Sequence, residues 1–253
     1  RKCSPDMFEL DPKRGRVGLF GWKAVKGDAN LIGHKAVTVP GEVAGLCLAL
    51  EGYGTMSLEK VVKPAIRIAE DGFPVSYIAH LHICQTMEVL SRFRGWTEIF
   101  LKEGRYPLRP ADLATRTPPD VLVQKDLAGS LRKIARDGPD AFYKGEIAEA
   151  IARDMQRHGG LIDEQDLASF EPIVMKPDPG SYRGYDVIFD PTHAGTTLME
   201  ILNILEGFDL KRLRHMTPES IHIIVDAIRL SFADRLRYMG DPGFIKVPAR
   251  GLV

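Results

Sequence analysis

A helix-rich α+β fold is the architecture this sequence predicts, and three observations carry it. Apolar residues recur with a helical period through most of the chain, Gly (24) and Pro (17) fall between those segments, and the period changes to that of strands between Ile173 and Phe189. With 253 residues, a hydrophobic share of 44% and a charged share of 27%, there is material for a core in an ordinary globular protein. Lys+Arg (34) balances Asp+Glu (34), so no general electrostatic attraction draws the chain to nucleic acid or an anionic membrane. Apolar runs such as 46–50 and 221–225 stop well short of the ~18 residues a membrane-spanning helix needs. Neither nucleic acid nor membrane is an expected partner.

The opening through Lys35 is Gly-rich and without a sustained period, which predicts loops and one short strand. From Pro40-Gly41 a helix is expected to run to Glu51, with Val43, Leu46, Ala49 and Leu50 on one face and Gly52 and Gly54 as its end. Ser57 then caps a helix whose stripe is Leu58, Val61, Val62, Ala65, Ile66 and Ala69; Pro64 should kink it or mark a late start, and Gly72 should stop it. A third helix falls between Ile78 and Arg92, and the four prolines of Arg105–Pro119 predict an irregular surface loop. Asp126–Asp137 and Pro139–His158 read as two helices, the second with Ile147, Ile151 and Met155 inward, and Asp163 caps a short helix over Glu164–Ala168. Ile173–Met175 and Arg183–Phe189 are expected to form a hairpin around a turn at Pro177–Ser181. Two more helices follow, one with Leu198, Ile201, Leu202 and Leu205 as its stripe, the other starting at Thr217-Pro218-Glu219 with Ile221, Ile224, Val225, Ile228 and Phe232 inward.

The chain lacks the usual nucleophile-elbow, phosphate-loop, zinc-protease and dinucleotide signatures. Cys3, Cys47 and Cys84 are an odd number without metal-ligand spacing, so free, mostly buried thiols are expected. His80 and His82 point to different helical faces, and no metal site is expected of them. Arg229, Asp234, Arg235 and Arg237 read as a solvated face or an ion-pair ladder. The stretch Asp190-Pro191-Thr192-His193-Ala194-Gly195-Thr196-Thr197 leads from a strand into a helix, where free N–H groups can line a pocket or simply be capped by Thr196 or Thr197. His193 has no visible nucleophile partner. The chain opens on Arg1-Lys2-Cys3-Ser4-Pro5 instead of Met and stops at Gly251-Leu252-Val253, so both ends are expected to lie inside a larger protein.

A colinear set of short stretches carries a stronger signal. Val39-Pro40-Gly41-Glu42-Val43-Ala44-Gly45-Leu46 with Tyr53-Gly54-Thr55 is followed by Asp71-Gly72-Phe73-Pro74-Val75, Gly138-Pro139-Asp140-Ala141-Phe142-Tyr143-Lys144-Gly145, Gly159-Gly160-Leu161-Ile162 and Tyr238-Met239-Gly240-Asp241-Pro242. In these residues and their order the sequence resembles the γ-glutamyltranspeptidase (glutathione hydrolase) family, over nearly the whole chain. The resemblance implies a four-layer αββα N-terminal-nucleophile hydrolase fold, with residues 1–253 forming part of one such domain in the large subunit. It implies an enzyme that cleaves γ-glutamyl amides such as glutathione and passes the acyl group to water or an amino acid. It also implies a precursor that cuts itself, so that a Thr on a small subunit, the heterodimer partner, becomes a nucleophile whose own α-amino group serves as base. This chain shows no stretch like the small-subunit start, so alone it is expected to be inactive, with no catalytic residue, no metal and no cofactor. The resemblance further implies a periplasmic or secreted location.

One substrate-binding residue follows from the same likeness. Arg1-Lys2-Cys3-Ser4-Pro5 is similar to the family's Arg-Glu-x-Ala-Pro motif, which makes Arg1 the expected partner of the γ-glutamyl α-carboxylate, a role suited to a planar guanidinium. Lys2 and Ser4 depart from that motif, and Phe189–Gly195 replaces a family loop of Pro, Ser and Gly with bulkier, more polar residues. These departures keep two alternatives open: a related amidohydrolase or acylase with another acyl specificity, and a non-catalytic scaffold of the same fold.

Overall fold

The computed structural model describes residues 3–4, 6–18, 21–112, 114–190 and 194–253, excluding the side chain of Arg250. Two compact units divide the chain, 1–172 and 173–253.

In the first unit, β1 (Arg16–Val17) pairs antiparallel with β2 (Trp22–Lys23), a hairpin where one short strand was expected. Three-residue 3-10 turns follow at Lys26–Asp28 and His34–Ala36. Helix α1 (Glu42–Tyr53) runs through Gly52 and ends at Gly54, two residues beyond expectation. Helix α2 (Leu58–Asp71) begins where Ser57 Oγ accepts the Lys60 N–H, and it continues through Pro64. Leu58, Val62, Ile66 and Ala69 are covered, whereas Val61 and Ala65 face out, so the inward stripe is narrower than expected.

Strand β3 (Phe73–Pro74) leads to α3 (Tyr77–Leu90), capped by Ser76 Oγ, and to α4 (Arg94–Phe100). The segment expected to be irregular holds a small ribbon, because β4 (Leu101–Lys102) pairs with β5 (Tyr106–Pro107). Pro107 fits there because a two-strand ribbon leaves an outer edge where a missing N–H costs nothing. Strand β6 (Val121–Leu122) returns to pair with β3. Helix α5 (Lys125–Asp137) then packs on α2. The single helix expected over 139–158 is two, α6 (Asp140–Tyr143) and α7 (Glu146–Arg157), since the backbone leaves helical geometry at Lys144 and Gly145. Helix α8 (Glu164–Ala168) carries a full capping box, Asp163 and Asp166 each accepting the other's backbone N–H. Ala44, Tyr143, Ala148, Met155, Ile162 and Leu167 form the core of this unit.

In the second unit the hairpin exists with a different turn. Strand β7 (Asp178–Tyr182) pairs with β8 (Tyr185–Phe189) in the register Asp178↔Phe189 to Tyr182↔Tyr185. Residues 178–181, expected to turn, are strand; Arg183 (φ 51°) and Gly184 (φ 82°) make the turn. Positive φ at both central positions is what a two-residue hairpin loop demands, because that twist matches the strands it joins. Ile173, Val174 and Met175 stay exposed outside the ribbon. Helices α9 (Ala194–Glu206), α10 (Leu210–Leu213), α11 (Pro218–Tyr238) and α12 (Ala249–Leu252) complete the unit. The long α11 starts as expected, with Thr217 Oγ1 accepting the Ser220 N–H at 3.2 Å.

The inward faces of these two helices differ from the apolar stripes. On α11 the buried residues are Ser220, Ala227 and Ser231, while Ile221, Ile224, Val225 and Ile228 are each between 37% and 52% exposed. On α9 they are Thr196, Thr197, Met199, Glu200 and Leu205, with Leu198 half-exposed. The two helices therefore meet through small and polar side chains, and the apolar face of α11 is left partly exposed among the described residues.

Candidate functional site

The connection from β8 to α9 is built by close approach. Phe189 is buried at the end of β8, and Gly180 of β7 lies so near α9 that a Cβ there would sit 2.7 Å from the Met199 methyl. Gly195 is tighter still: a Cβ would come within 2.3 Å of the Asp190 carbonyl oxygen. Asp190 thus packs directly on the first turn of α9, and only glycine at 195 lets the two backbones touch. Its middle residues, Pro191, Thr192 and His193, lie outside the described residues.

Beneath that turn is a buried polar seam. Glu200 is 8% exposed, and burial, then the neighbouring charge of Asp234 and hydrogen bonding to it, push its carboxyl above the usual range. The fully buried Ser231 hydroxyl lies beside the carboxyl without a well-formed hydrogen bond and offsets the shift only in part. Arg235 donates from Nη1 to Thr197 Oγ1 at 3.3 Å. Asp234 and Arg235, expected on a solvated face, are half-buried and turned to α9. Arg229 keeps the expected exposed character, paired with Asp226 at 3.2 Å, and Arg237 stacks over Tyr238. Two carboxyl groups, two threonines and a guanidinium thus hold the start of α9 in place.

The other residues named from the sequence scatter. Arg1 and His193 lie outside the described residues. His80 and His82 do not converge on a shared ligand; His80 Nδ1 meets the Leu108 carbonyl at 2.8 Å and its Nε2 is 3.5 Å from Cys84 Sγ. All three cysteines are free, but Cys3 and Cys84 are exposed and Cys47 is half-buried, so the expectation of mostly buried thiols fails. Cys47 lines a cavity of about 490 Å³ in the first unit with Ala44, Leu50, Met56, Tyr143 and Phe170, and burial raises its thiol pKa.

A grouping that sequence reasoning missed joins His34, Asp154 and His158. The i, i+4 spacing of Asp154 and His158 was legible; the approach of His34 from 120 residues away was not.

The model of the gamma-glutamyltranspeptidase family matches residues 3–253. The chain belongs to the γ-glutamyltranspeptidase family. The glutathione hydrolase proenzyme of Escherichia coli K12 is 44% identical over 252 residues, 98% of this chain and 42% of the relative. The acylase ACY 1 proenzyme of Pseudomonas sp. strain SE83 is 39% identical over 100% of this chain and 43% of its own length. A crystal structure of Helicobacter pylori γ-glutamyltranspeptidase matches with a TM-score of 0.86 at 36% identity, covering 99% of this chain and 67% of that one. The helix-rich α+β class expected from the sequence is the one this γ-glutamyltranspeptidase-family chain shares with its structural neighbours, which include an acylase. The chain spans about two fifths of the length of the curated relatives it matches.

Proposed function

We propose that this chain is the large-subunit part of an N-terminal-nucleophile enzyme that cleaves γ-glutamyl amides, glutathione among them, and transfers the acyl group to water or an amino acid. The observation that carries the reading is 44% identity across 98% of the chain to a glutathione hydrolase proenzyme. Both compact units are then parts of a single γ-glutamyltranspeptidase-like domain. The partner is a small subunit cut from the same precursor, and the uncovered apolar residues Ile221, Ile224, Val225 and Ile228 of α11 support such a missing neighbour.

In this reading the Thr at the start of the small subunit attacks the γ-glutamyl carbonyl carbon through its hydroxyl oxygen, and the proton passes to its α-amino group. Backbone N–H groups stabilise the tetrahedral oxyanion. As the C–N bond breaks, the proton goes to the departing amine, leaving an ester that water or an acceptor amine resolves. Arg1 holds the donor's α-carboxylate by two charge-assisted hydrogen bonds. Asp190 and Gly195, packed against each other at the start of α9, shape one wall of the acyl site, with the seam beneath them. None of the described helices is long and apolar enough to cross a membrane; a periplasmic or secreted location accords with the family reading, and cell fractionation tests it.

A second reading, an acylase for a different acyl group, is favoured by the 39% identity to an acylase proenzyme over the whole chain and by the bulk of Asp190, Thr192 and His193. The processed full-length protein, assayed on γ-glutamyl anilide and on a series of other acyl amides, separates the two. Turnover of γ-glutamyl anilide supports the first reading; turnover confined to another acyl group overturns it, and no turnover of any amide leaves a scaffold. Arg1→Lys should raise KM for the γ-glutamyl donor with a smaller effect on kcat, and an unchanged KM would remove Arg1 from the site.

A further inference from the structure

Two imidazoles and one carboxylate converge in the first unit. Asp154 lies near the end of α7, His158 follows one turn later, and His34 opens the second 3-10 turn. Among the described residues, these three each bring one ligand atom to within 4.8 Å of the others. His34 Nε2 is 2.8 Å from Asp154 Oδ2, His158 Nδ1 is 3.2 Å from Asp154 Oδ1, and the imidazoles stack with centroids 4.5 Å apart and planes 21° from parallel. His34 is held there, leaning on Phe93 at 6.4 Å where a Cβ on Gly160 would stand 3.1 Å from its own Cβ, whereas His158 Nδ1 donates to the Asp154 carbonyl at 3.0 Å and must turn from it to bind an ion.

We infer that His34, Asp154 and His158 form a binding site for a divalent transition metal of the zinc class. Two imidazoles and a carboxylate brought together from distant parts of the chain are the kind of donor set that holds a divalent ion. A single dication would be bound by one nitrogen of each ring, with the carboxylate offsetting half its charge. Two nitrogen donors and one oxygen suit zinc and its neighbours, whereas magnesium and calcium seek oxygen ligands. Three protein ligands leave a fourth position to water, the arrangement of open zinc sites. The rings are stacked rather than aimed at one point, so rotation of the exposed Asp154 and His158 side chains is what turns the donors onto one ion. Another histidine–acid pair in the chain, His222 with Asp226, has the same i, i+4 spacing and is not joined to a third donor in such a group. Because His34 and Asp154 are 120 residues apart, the ion would tie the 3-10 turn to α7 and stabilise the fold of the first unit.

The test is a calorimetric titration of chelator-treated full-length protein with zinc chloride, with cobalt(II) absorption as a second readout. The expected result is one equivalent bound through these residues, a rise in melting temperature, and visible cobalt bands of a low-coordinate site. His34→Gln and Asp154→Asn should each weaken binding by about tenfold or more, the least that loss even of a supporting partner brings; His222→Gln should not. His158→Gln, at a half-exposed position, gives the same reading should His34→Gln fail to fold. Binding that survives all three substitutions, no binding by the unaltered protein, or equal binding of magnesium would overturn the assignment.

Discussion

The Tyr143 hydroxyl donates to the Pro40 carbonyl at 2.6 Å and accepts the Ala44 N–H at 3.2 Å, across about a hundred residues of sequence. Helix α1 has no side-chain cap at Gly41, so this buried phenol supplies the cap from another helix. Its ring stacks on Phe170 at 5.6 Å and packs edge-on against Phe142 at 4.9 Å, which fixes the hydroxyl where α1 begins.

Tyr143→Phe should therefore destabilise the first unit by about 1–3 kcal/mol, because it leaves a buried N–H and a carbonyl unpaired while preserving the ring. A lowered urea midpoint of the full-length protein checks it; an unchanged midpoint would mean that water replaces the hydroxyl.

Glu200 predicts a pH dependence. Its carboxyl has a raised pKa in the folded state, so the folded protein holds that proton more tightly than the unfolded chain does. The stabilising contribution is full below the ordinary glutamate value and is lost as pH rises through the raised one. Glu200→Gln should match the unaltered protein in acid and exceed it in melting temperature above neutrality. A difference independent of pH would show that the seam carries no such proton.

Thiol reactivity should divide by environment. Cys84 is exposed with His80 Nε2 3.5 Å from its sulfur, and the Leu108 carbonyl at His80 Nδ1 leaves Nε2 as the acceptor. Burial pushes the Cys47 thiol pKa up. Iodoacetamide followed by peptide mass analysis should label Cys84 before Cys47, and His80→Ala should slow Cys84. Equal rates at the two sites would contradict this.

Gly195→Ala places a methyl group against the Asp190 carbonyl oxygen, a clash that no side-chain rotation relieves. The processed enzyme should lose kcat/KM for its amide substrate by about tenfold or more, as a misplacement of order 1 Å costs up to a hundredfold. The melting temperature should fall far less than for a core truncation, and retained activity would mean the loop is not a wall of the site.

The helices and their caps were legible because they rest on local rules. Ser57, Asp163 and Thr217 stand where short polar side chains meet apolar periodicity, and each caps its helix. The hairpin turn was misplaced because Pro177-Asp178-Pro179-Gly180 has turn composition, yet Gly180 is required by the nearby Met199 rather than by a turn. The break at Lys144-Gly145 and the polar interior of α9 and α11 depend on neighbours that periodicity does not see. The approach of His34 to Asp154 is tertiary in the same way. Family membership was readable because many short stretches agree in order; the role of Arg1 rests on that likeness alone.

The most direct measurement is intact-mass analysis with N-terminal sequencing of the complete precursor, before and after incubation, alongside γ-glutamyl anilide turnover. The account predicts two chains, this one within the larger, with the smaller beginning at Thr and turnover appearing only as the cut proceeds. A precursor that hydrolyses the anilide while remaining a single uncut chain would contradict it.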